Sequence, residues 1–572
     1  MMNLGETKEA PSGEEVISKD IDTYSVSGTT NSEQIHPLNQ SDTRRSGTAP
    51  ASDAESRQDD VLSRYYTNRS NSGKEIPPMG GDKPFPPMFE DAEAYKVEFQ
   101  GPDDPLNPMN WKNSRKLLLG MIMAYMTVVL AWGSSVMAAG IPVIKEVFHV
   151  GQATAALGIS LYVLGFATGP IIWGPLSEVY GRYIPMLVSY IFFTAFTFWT
   201  ATADHFYHLI LYRFFAGAIG SAPLVIVVAS FADMFTVEVR GRALALFSLC
   251  MVTGPILAPV VGGYIVASYL GWRWLFYITG IMASLGLVLM IFFLRETFHP
   301  IILSKKAVDL RLRTGNIMIY AQHEKNVPDI KEIAGRVLIL PIKMLFQEPI
   351  LFLMSLYHGF VYGILYLTLE VVPIIFSEKY HWKGGNIMLP YLGFVVGGII
   401  MSFANVFFFD PKFRRDLRAS GKPILPEARL PLCMAGAIEF PIAIFLLCWT
   451  GNYRVHWIAP SIGMAFLGGG LVSLFVGIIN YTVDTYTFLA ASAMAANTFT
   501  RSGMAAAFPI FASAMFHNLG VEWAGTLLGC LAVLLLPCPF IFYYYGERIR
   551  GWSKYAPKIP APPKKEEPAD DA

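Results

Sequence analysis

GPLSEVYGRYIP, residues 174–185, joins two long apolar runs and is too polar for a simple reversal of chain direction: Glu178 and Arg182 stand four apart, framed by Gly174 and Gly181. A plain turn needs only turn residues. The flanking runs explain the setting. Each is about 20 mostly apolar residues long, enough to cross the hydrocarbon core of a bilayer as a helix. Twelve such windows occur, near 117–138, 153–174, 183–203, 209–232, 243–268, 274–294, 349–376, 387–409, 431–450, 457–480, 486–515 and 523–545. The only long polar interruption between them, 295–348, divides them six and six.

Composition agrees with a membrane chain. Of 572 residues 53% are hydrophobic, 14% aromatic and only 15% charged, against about 25% charged in an ordinary soluble domain. The formal net charge of zero supplies no basic field for nucleic acid, and no nucleic-acid partner is expected. Cys250, Cys433, Cys448, Cys530 and Cys538 have no CxxC spacing and lie in apolar runs, where they read as small buried hydrophobes. Residues 1–110 are rich in Ser, Asp, Glu, Pro, Asn and Gly and contain no apolar signal core, so they are expected to form a disordered tail that stays in the cytosol. Only FQGPDDPLNPMNW (99–111) reads as more than linker, with prolines that forbid a helix and Trp111 suited to a membrane interface.

Orientation follows from where Lys and Arg collect. Loop 295–348 carries Lys305, Lys306, Arg311, Arg313, Lys325, Lys331 and Arg336, and loop 410–430 carries Lys412, Arg414, Arg415, Arg418, Lys422 and Arg429. Both fall on one side under an even span count, together with both termini, and that side is expected to be the cytosol. The domain reading is therefore a cytosolic tail over 1–110, a six-helix bundle over 111–294, a cytosolic central loop over 295–348, a second six-helix bundle over 349–545 and a cytosolic tail over 546–572. The sequons at Asn68 and Asn480 fall on the cytosolic side and are expected to stay unglycosylated.

With this placement GPLSEVYGR resembles the signature of the major facilitator superfamily at Gly174, Glu178, Gly181 and Arg182, with Glu where Asp is commoner and Val179 and Tyr183 in place of basic residues. LYRFFAGAIGSAP is similar to the superfamily's Arg-x-x-x-Gly pattern at Arg213 and Gly217, with Ala216 for the usual glutamine. GPILAPVVGGYI resembles its antiporter signature at Gly254, Pro255, Pro259, Gly262 and Gly263, with Ala258 where a second glycine is usual. NPMNW (107–111), RETFHPIIL (295–303) and NYTVDTYTFLAASAMAANTFTRS (480–502) are similar to the fungal twelve-span drug:proton antiporters. The resemblance spans roughly 100–555. It implies an all-α membrane protein of the major facilitator fold, with twelve transmembrane helices in two six-helix bundles. It further implies alternating-access export of small, largely apolar compounds (drugs, antifungals, a secondary metabolite or a toxin) across the plasma membrane. The implied partners are a small-molecule substrate, protons and the lipid bilayer; the implied state is a monomer, with the proton gradient in place of any cofactor.

Within that frame specific residues have candidate roles. Glu178 is expected against the positive end of the eleventh helix and Arg182 against Asp233, together latching the cytosolic face. The plain alternative is a well-made turn with an i,i+4 pair of about 0.3–0.5 kcal/mol. Arg213, which the resemblance assigns to proton transfer, costs about 2.5–3.5 kcal/mol in a span unless it faces the bundle interior or snorkels. Glu370, Glu439 and Arg501 are the other ionisable groups within spans. Glu370 and Glu439 are the candidate proton carriers, although Glu439 reads equally as an interface residue. Tyr362, Tyr366, Phe394, Phe499 and Phe508, with Phe466, are candidates to line an adaptable cavity. No Walker motif, HExxH or His/Cys/Asp cluster is present, so neither catalysis nor ATP-driven pumping is expected. A polyamine or nutrient carrier is the alternative within transport, and a membrane sensor the alternative outside it.

Overall fold

The computed structural model describes residues 95–101, 103–325, 330–413, 415, 426–486 and 489–555. Its spans are α1 (Asn113–Phe148), α2 (Gln152–Val179), α3 (Tyr183–Ala201), α4 (Phe206–Met234), α5 (Val237–Ala267), α6 (Arg273–Phe293), α7 (Pro349–Lys379), α8 (Gly384–Phe413), α9 (Pro426–Thr450), α10 (Ile458–Thr485), α11 (Ala490–Leu519) and α12 (Val521–Arg550). Among the described residues eleven helices are long and apolar enough to cross a membrane. α11 is not one of them; it is a 30-residue helix dominated by alanine, with polar Asn497, Thr498, Thr500 and Arg501. Each expected window falls on one of these helices, with α1 running ten residues past its window and α5 beginning six residues before its own.

Packing sorts the spans. α7 is buried along 94% of its apolar window, whereas α6 and α12 are buried along 39% and 33%, so α7 lies inside and the other two present Ile281, Leu285, Phe292 and Leu534 outward. In the first bundle α1 packs on α5, α2 on α4, and α3 on both α4 and α6. The second bundle repeats this six helices later: α7 on α11, α8 on α10, α9 on both α10 and α12. Between bundles the repeat persists, with α2 on α11 and α8 on α5.

The repeat extends to single residues. A Cβ at Gly165 or Gly217 would strike the facing backbone of α4 or α2, the latter at Tyr162. A Cβ at Gly397 or Gly468 would likewise strike the backbone of α10 or α8, the latter at Phe394. Small residues allow helices to touch backbone to backbone in this way.

The segment between the bundles is not a bare loop. It contains helices His299–Thr314 and Ile330–Gln347, and residues 95–110, expected to belong to the disordered tail, pack onto it. Lys96 bridges Tyr320, Tyr95 and Val97 join Ala307, Leu310, Ile319 and Ala321 in a small core, and Lys306 Nζ donates to the Glu98 carbonyl at 2.9 Å. Asn107 caps a short 3₁₀ turn, Pro108–Asn110. Residues 1–94 and 556–572, with Asn68, lie outside the described residues. Asn480 is buried within α10 and donates to the Val476 carbonyl, 2.9 Å away.

Candidate functional site

The side of the molecule bearing residues 294–348 is termed here the loop face. At this face Gly181 has φ +84°, the left-handed region that favours glycine. A Cβ there would also collide with the Glu296 carboxylate. Glu296 accepts from the backbone N–H groups of Arg182 (2.8 Å), Thr297 (3.0 Å) and Phe298 (3.0 Å) through Oε1, and of Tyr183 (3.2 Å) through Oε2. It therefore fills the N-terminus of α3, where donors are unpaired and a negative charge is favoured. Arg182 is buried, donating from Nε to Asp233 Oδ2 at 3.2 Å and from Nη1 to Ser177 Oγ at 2.7 Å, with its guanidinium 4.4 Å from the Phe298 ring centre. Burial and the Arg182 charge hold the nearby His299 imidazole below its usual range, and its Nε2 lies 3.0 Å from Asn107 Oδ1.

The expected Arg182–Asp233 pair thus forms, but both residues belong to the first bundle, so the pair ties α2 and α3 to α4 and joins no halves. Glu178 is exposed and makes no hydrogen bond or close ion pair with a described side chain; residues 487 and 488, just ahead of α11, lie outside the described residues. Among the described residues, charges that cross between bundles include Arg240 with Asp484 (3.1 Å) and Arg242 with Asp410 (2.9 Å). Asp484 also takes Arg429 at 3.1 Å.

The opposite face carries its own crossings. Gln152 Nε2 donates to Glu370 Oε2 at 3.0 Å and Tyr264 to Asn386 Oδ1 at 2.9 Å. Glu370 is buried and its Oε1 has no partner. It sits in an apolar vestibule of about 280 Å³ lined by residues including Ala138, Pro142, Gly263, Leu369 and Met388. Contacts between the bundles are therefore present at both faces.

At mid-depth Arg213 is 2% exposed and fully used: it donates to the carbonyls of Gly158, Gly133 and Ser134 and stacks over Tyr162 at 4.4 Å. It does not snorkel; it clamps α1 and α2 onto α4. A bridge then crosses the bundles, from Ser134 Oγ to Tyr366 (2.8 Å) and on to Tyr362 (3.2 Å). Beyond it stand Arg501, His358, Asn497 and Ser355. The antiporter-like residues serve close packing. Gly254 lies against Ala131 and Trp132 of α1, Gly262 against Ala139, and Gly263 against Gly385 of the other bundle. Ala258 is buried in the same stretch. Pro259 cannot donate to the carbonyl of Pro255, and Ser135 Oγ from α1 does so at 2.5 Å.

Several cavity and carrier expectations need correction. Phe499 is 40% exposed and leaves the cavity list, because it stands two residues, about 200° of helix, from inward-facing Arg501. Phe466 is exposed for the same kind of reason. Phe394 is buried where α8 meets α10, and Phe508 packs on Phe360 and Phe511. Glu439 is half-buried against Gly469 and Met401 of its own bundle, away from the bridged interface. Glu296, Arg240, Asp484, Gln152 and His358 were missed; of these Glu296 lay in a quoted motif, RETF, and Asp484 in another, NYTVD. Gly174 meets only Val225, at an ordinary 3.8 Å. Among the described residues no group of His, Cys, Asp and Glu converges to hold a metal.

Two bundles repeating one helix pairing, an arginine-and-glycine turn after α2, and a carbonyl-satisfied arginine in α4 define the class. The chain belongs to the Major Facilitator Superfamily, whose family pattern matches residues 121–509; it is a multi-pass membrane transporter and not an enzyme. Among its relatives, the major facilitator superfamily multidrug transporter FLU1 of Candida albicans is 46% identical over 490 residues, 85% of this chain and 80% of that protein. Multidrug transporter TPO1_2 of Candida glabrata is 48% identical over 483 residues, 84% of this chain and 83% of that protein. Solved structures share the fold at low identity. The proton:xylose symporter XylE matches with TM-score 0.56 at 15% identity, over 76% of this chain and 96% of its own. The human organic anion transporter MFSD10 matches with TM-score 0.53 at 14% identity, over 75% and 100%.

Proposed function

We propose that this chain is a proton-coupled exporter of small, largely apolar compounds, working as a monomer in the plasma membrane with its loop face and both termini in the cytosol. The observation that carries the reading is Glu370: a buried carboxylate, bonded across the bundles to Gln152, with its second oxygen unpartnered in a vestibule at the face opposite the central loop. Closing that face buries a charge unless a proton neutralises it. Proton uptake from outside therefore favours the closed outer mouth and frees the inner mouth to open by breaking Arg240–Asp484 and Arg242–Asp410. With the inner mouth open the Glu370 proton leaves toward the cytosol as substrate enters, and the deprotonated, loaded carrier reopens outward to release the substrate, so the two exchange for one another. The names of the multidrug relatives support the substrate class, and the antiporter-like packing of α5 against α1 supports the direction.

The test is efflux of a fluorescent dye from yeast lacking its own pumps. Export collapses with a protonophore and persists when ATP falls under a maintained gradient. Glu370→Gln, which keeps the shape and the Gln152 bond, abolishes uphill export but retains downhill exchange in proteoliposomes. Proton-driven export surviving intact in Glu370→Gln refutes the assignment of Glu370.

A further inference from the structure

The two buried arginines differ in one decisive respect. Arg213 has three backbone carbonyls as acceptors. Arg501, eleven residues into α11 and 3% exposed, has none: among the described residues no oxygen accepts a hydrogen bond from it, and Nε is buried without a partner. Its guanidinium lies 4.9 Å from the Tyr362 ring centre and 5.3 Å from that of Phe475. Stacking on rings stabilises the cation but satisfies no N–H. Buried donors without partners are costly, and they are rare in native structures unless a group outside the chain completes them.

A second unpartnered group stands beside it. His358 is fully buried, its Nδ1 held at 2.8 Å by Asn497 Oδ1, while Asn497 Nδ2 donates to Ser355 Oγ at 3.2 Å. The Nε2 of His358 has no partner, and its ring meets the same Phe475 edge-on at 4.1 Å. Asn497 Oδ1 thus accepts from Nδ1–H and fixes the tautomer, leaving Nε2 as an unpartnered acceptor that offers no donor to an anion. Arg501 and His358 share the Phe475 ring, one on α11 and one on α7, at the depth where the Ser134–Tyr366–Tyr362 bridge crosses the bundles.

We infer that Arg501 is the head-group subsite of the export pathway and takes the carboxylate of organic acids whose apolar body lies by Tyr362 and Phe475. A planar carboxylate matches the guanidinium fork. Among the described residues no acidic side chain pairs with Arg501, so the arriving anion supplies the missing charge. The transport consequence rests on the export reading above; the binding claim does not.

The experiment uses the purified full chain in detergent and measures equilibrium binding of tritiated 2-naphthoate and of its uncharged counterpart, 2-naphthamide. Wild type is expected to bind the acid about tenfold or more tightly than the amide, the scale of a charge-assisted hydrogen bond. Arg501→Gln brings the ratio close to one while amide binding stays. Arg501→Lys, which keeps the charge and loses the fork, is expected to fall between. Equal binding of acid and amide by wild type overturns the inference, as does a ratio undiminished in Arg501→Lys or Arg501→Gln. Proton-driven dye export is followed separately in wild type. Acid preference without such export refutes the export reading and leaves the subsite standing; export without acid preference does the reverse.

Discussion

Arg240→Gln isolates the closure of the loop face. The Nη2–Oδ1 contact of 3.1 Å with Asp484 joins α5 to α10, and the two side chains are 14% and 17% exposed. A hydrogen bond between charged groups contributes about 1.5–3 kcal/mol, and partial exposure places this one near the lower end. Asp484 keeps Arg429 in the variant, so no carboxylate is left orphaned and the larger cost of an unpaired buried charge does not arise. A loss of about 1.5–2 kcal/mol from the closed state alone shifts the population toward an open loop face by about tenfold to thirtyfold. The reporter is Leu244→Cys, buried and four residues from Arg240 on the same face of α5, in a chain whose five native cysteines are replaced. Its labelling by an impermeant maleimide on inside-out vesicles should rise accordingly. Arg182→Gln should behave differently, because its partners Asp233, Ser177 and Phe298 all lie on the first-bundle side of the molecule. It should cost several kcal/mol of folding stability by leaving Asp233 unpaired, seen as reduced thermal stability, with little change in labelling of the folded fraction. Unchanged labelling in Arg240→Gln, or an equal rise in Arg182→Gln, refutes the reasoning.

Gly217→Leu and its second-bundle counterpart Gly468→Leu should each lower the thermal-aggregation temperature of the extracted protein sharply, since the obstacle is backbone and overpacking costs about 1–3 kcal/mol or more; Gly174→Ala, although in the signature turn, should be tolerated. Ser135→Ala leaves the Pro255 carbonyl unbonded and should destabilise by about 1 kcal/mol, measured on the same scale, whereas Ser135→Thr should largely restore it. Burial pushes Glu324 upward, but its hydrogen bonds with Arg311 (2.8 and 2.7 Å) and from the Ala321 amide outweigh this and hold it below its ordinary 4.5. A depressed carboxylate stabilises above its unfolded value and ceases to as pH falls through the lowered one. Hydrogen exchange of the segments around Tyr95 and Tyr320 should therefore be slow at neutral pH, quicken on acidification below 4.5 after correction for intrinsic rates, and be fast at neutral pH in Glu324→Gln.

Much of the fold is legible because a bilayer imposes one length and one polarity on every span. α11 shows where that reading thins: its alanines favour a helix without making it strongly apolar, and its threonines favour neither; its packing on α2 and α7 shows that it belongs inside. The site is legible where one local motif contains its own partners. Gly181 and Arg182 could be identified from nine consecutive residues, yet the carboxylate they serve, Glu296, lies 114 positions on from Arg182. Arg240 and Asp484 are 244 apart, and nothing in either stretch names the other, because the pairing is set by how one bundle docks on its partner. The cavity residues failed for a different reason. Span composition says that a ring is in the membrane, but only helix phase decides whether it faces lipid, as Phe499 does, or the interior, as Tyr362 does.

The paired glycines at mid-depth have a mechanical consequence. Where α2 meets α4 through Gly165 and Gly217, and α8 meets α10 through Gly397 and Gly468, backbones touch with no layer of side chains between them. Sliding of packed helices depends on side chains that can hop between neighbouring rotamers, and a joint of this kind has none to lend. Each bundle is in effect a single casting with its rivets at the waist. If the chain works by the two-mouthed cycle proposed above, displacement is taken up along the seam where α2 runs beside α11 and α5 beside α8; the halves then turn against each other like the jaws of a clothes-peg, and a pivot at the waist makes one mouth narrow by the same stroke that widens the other.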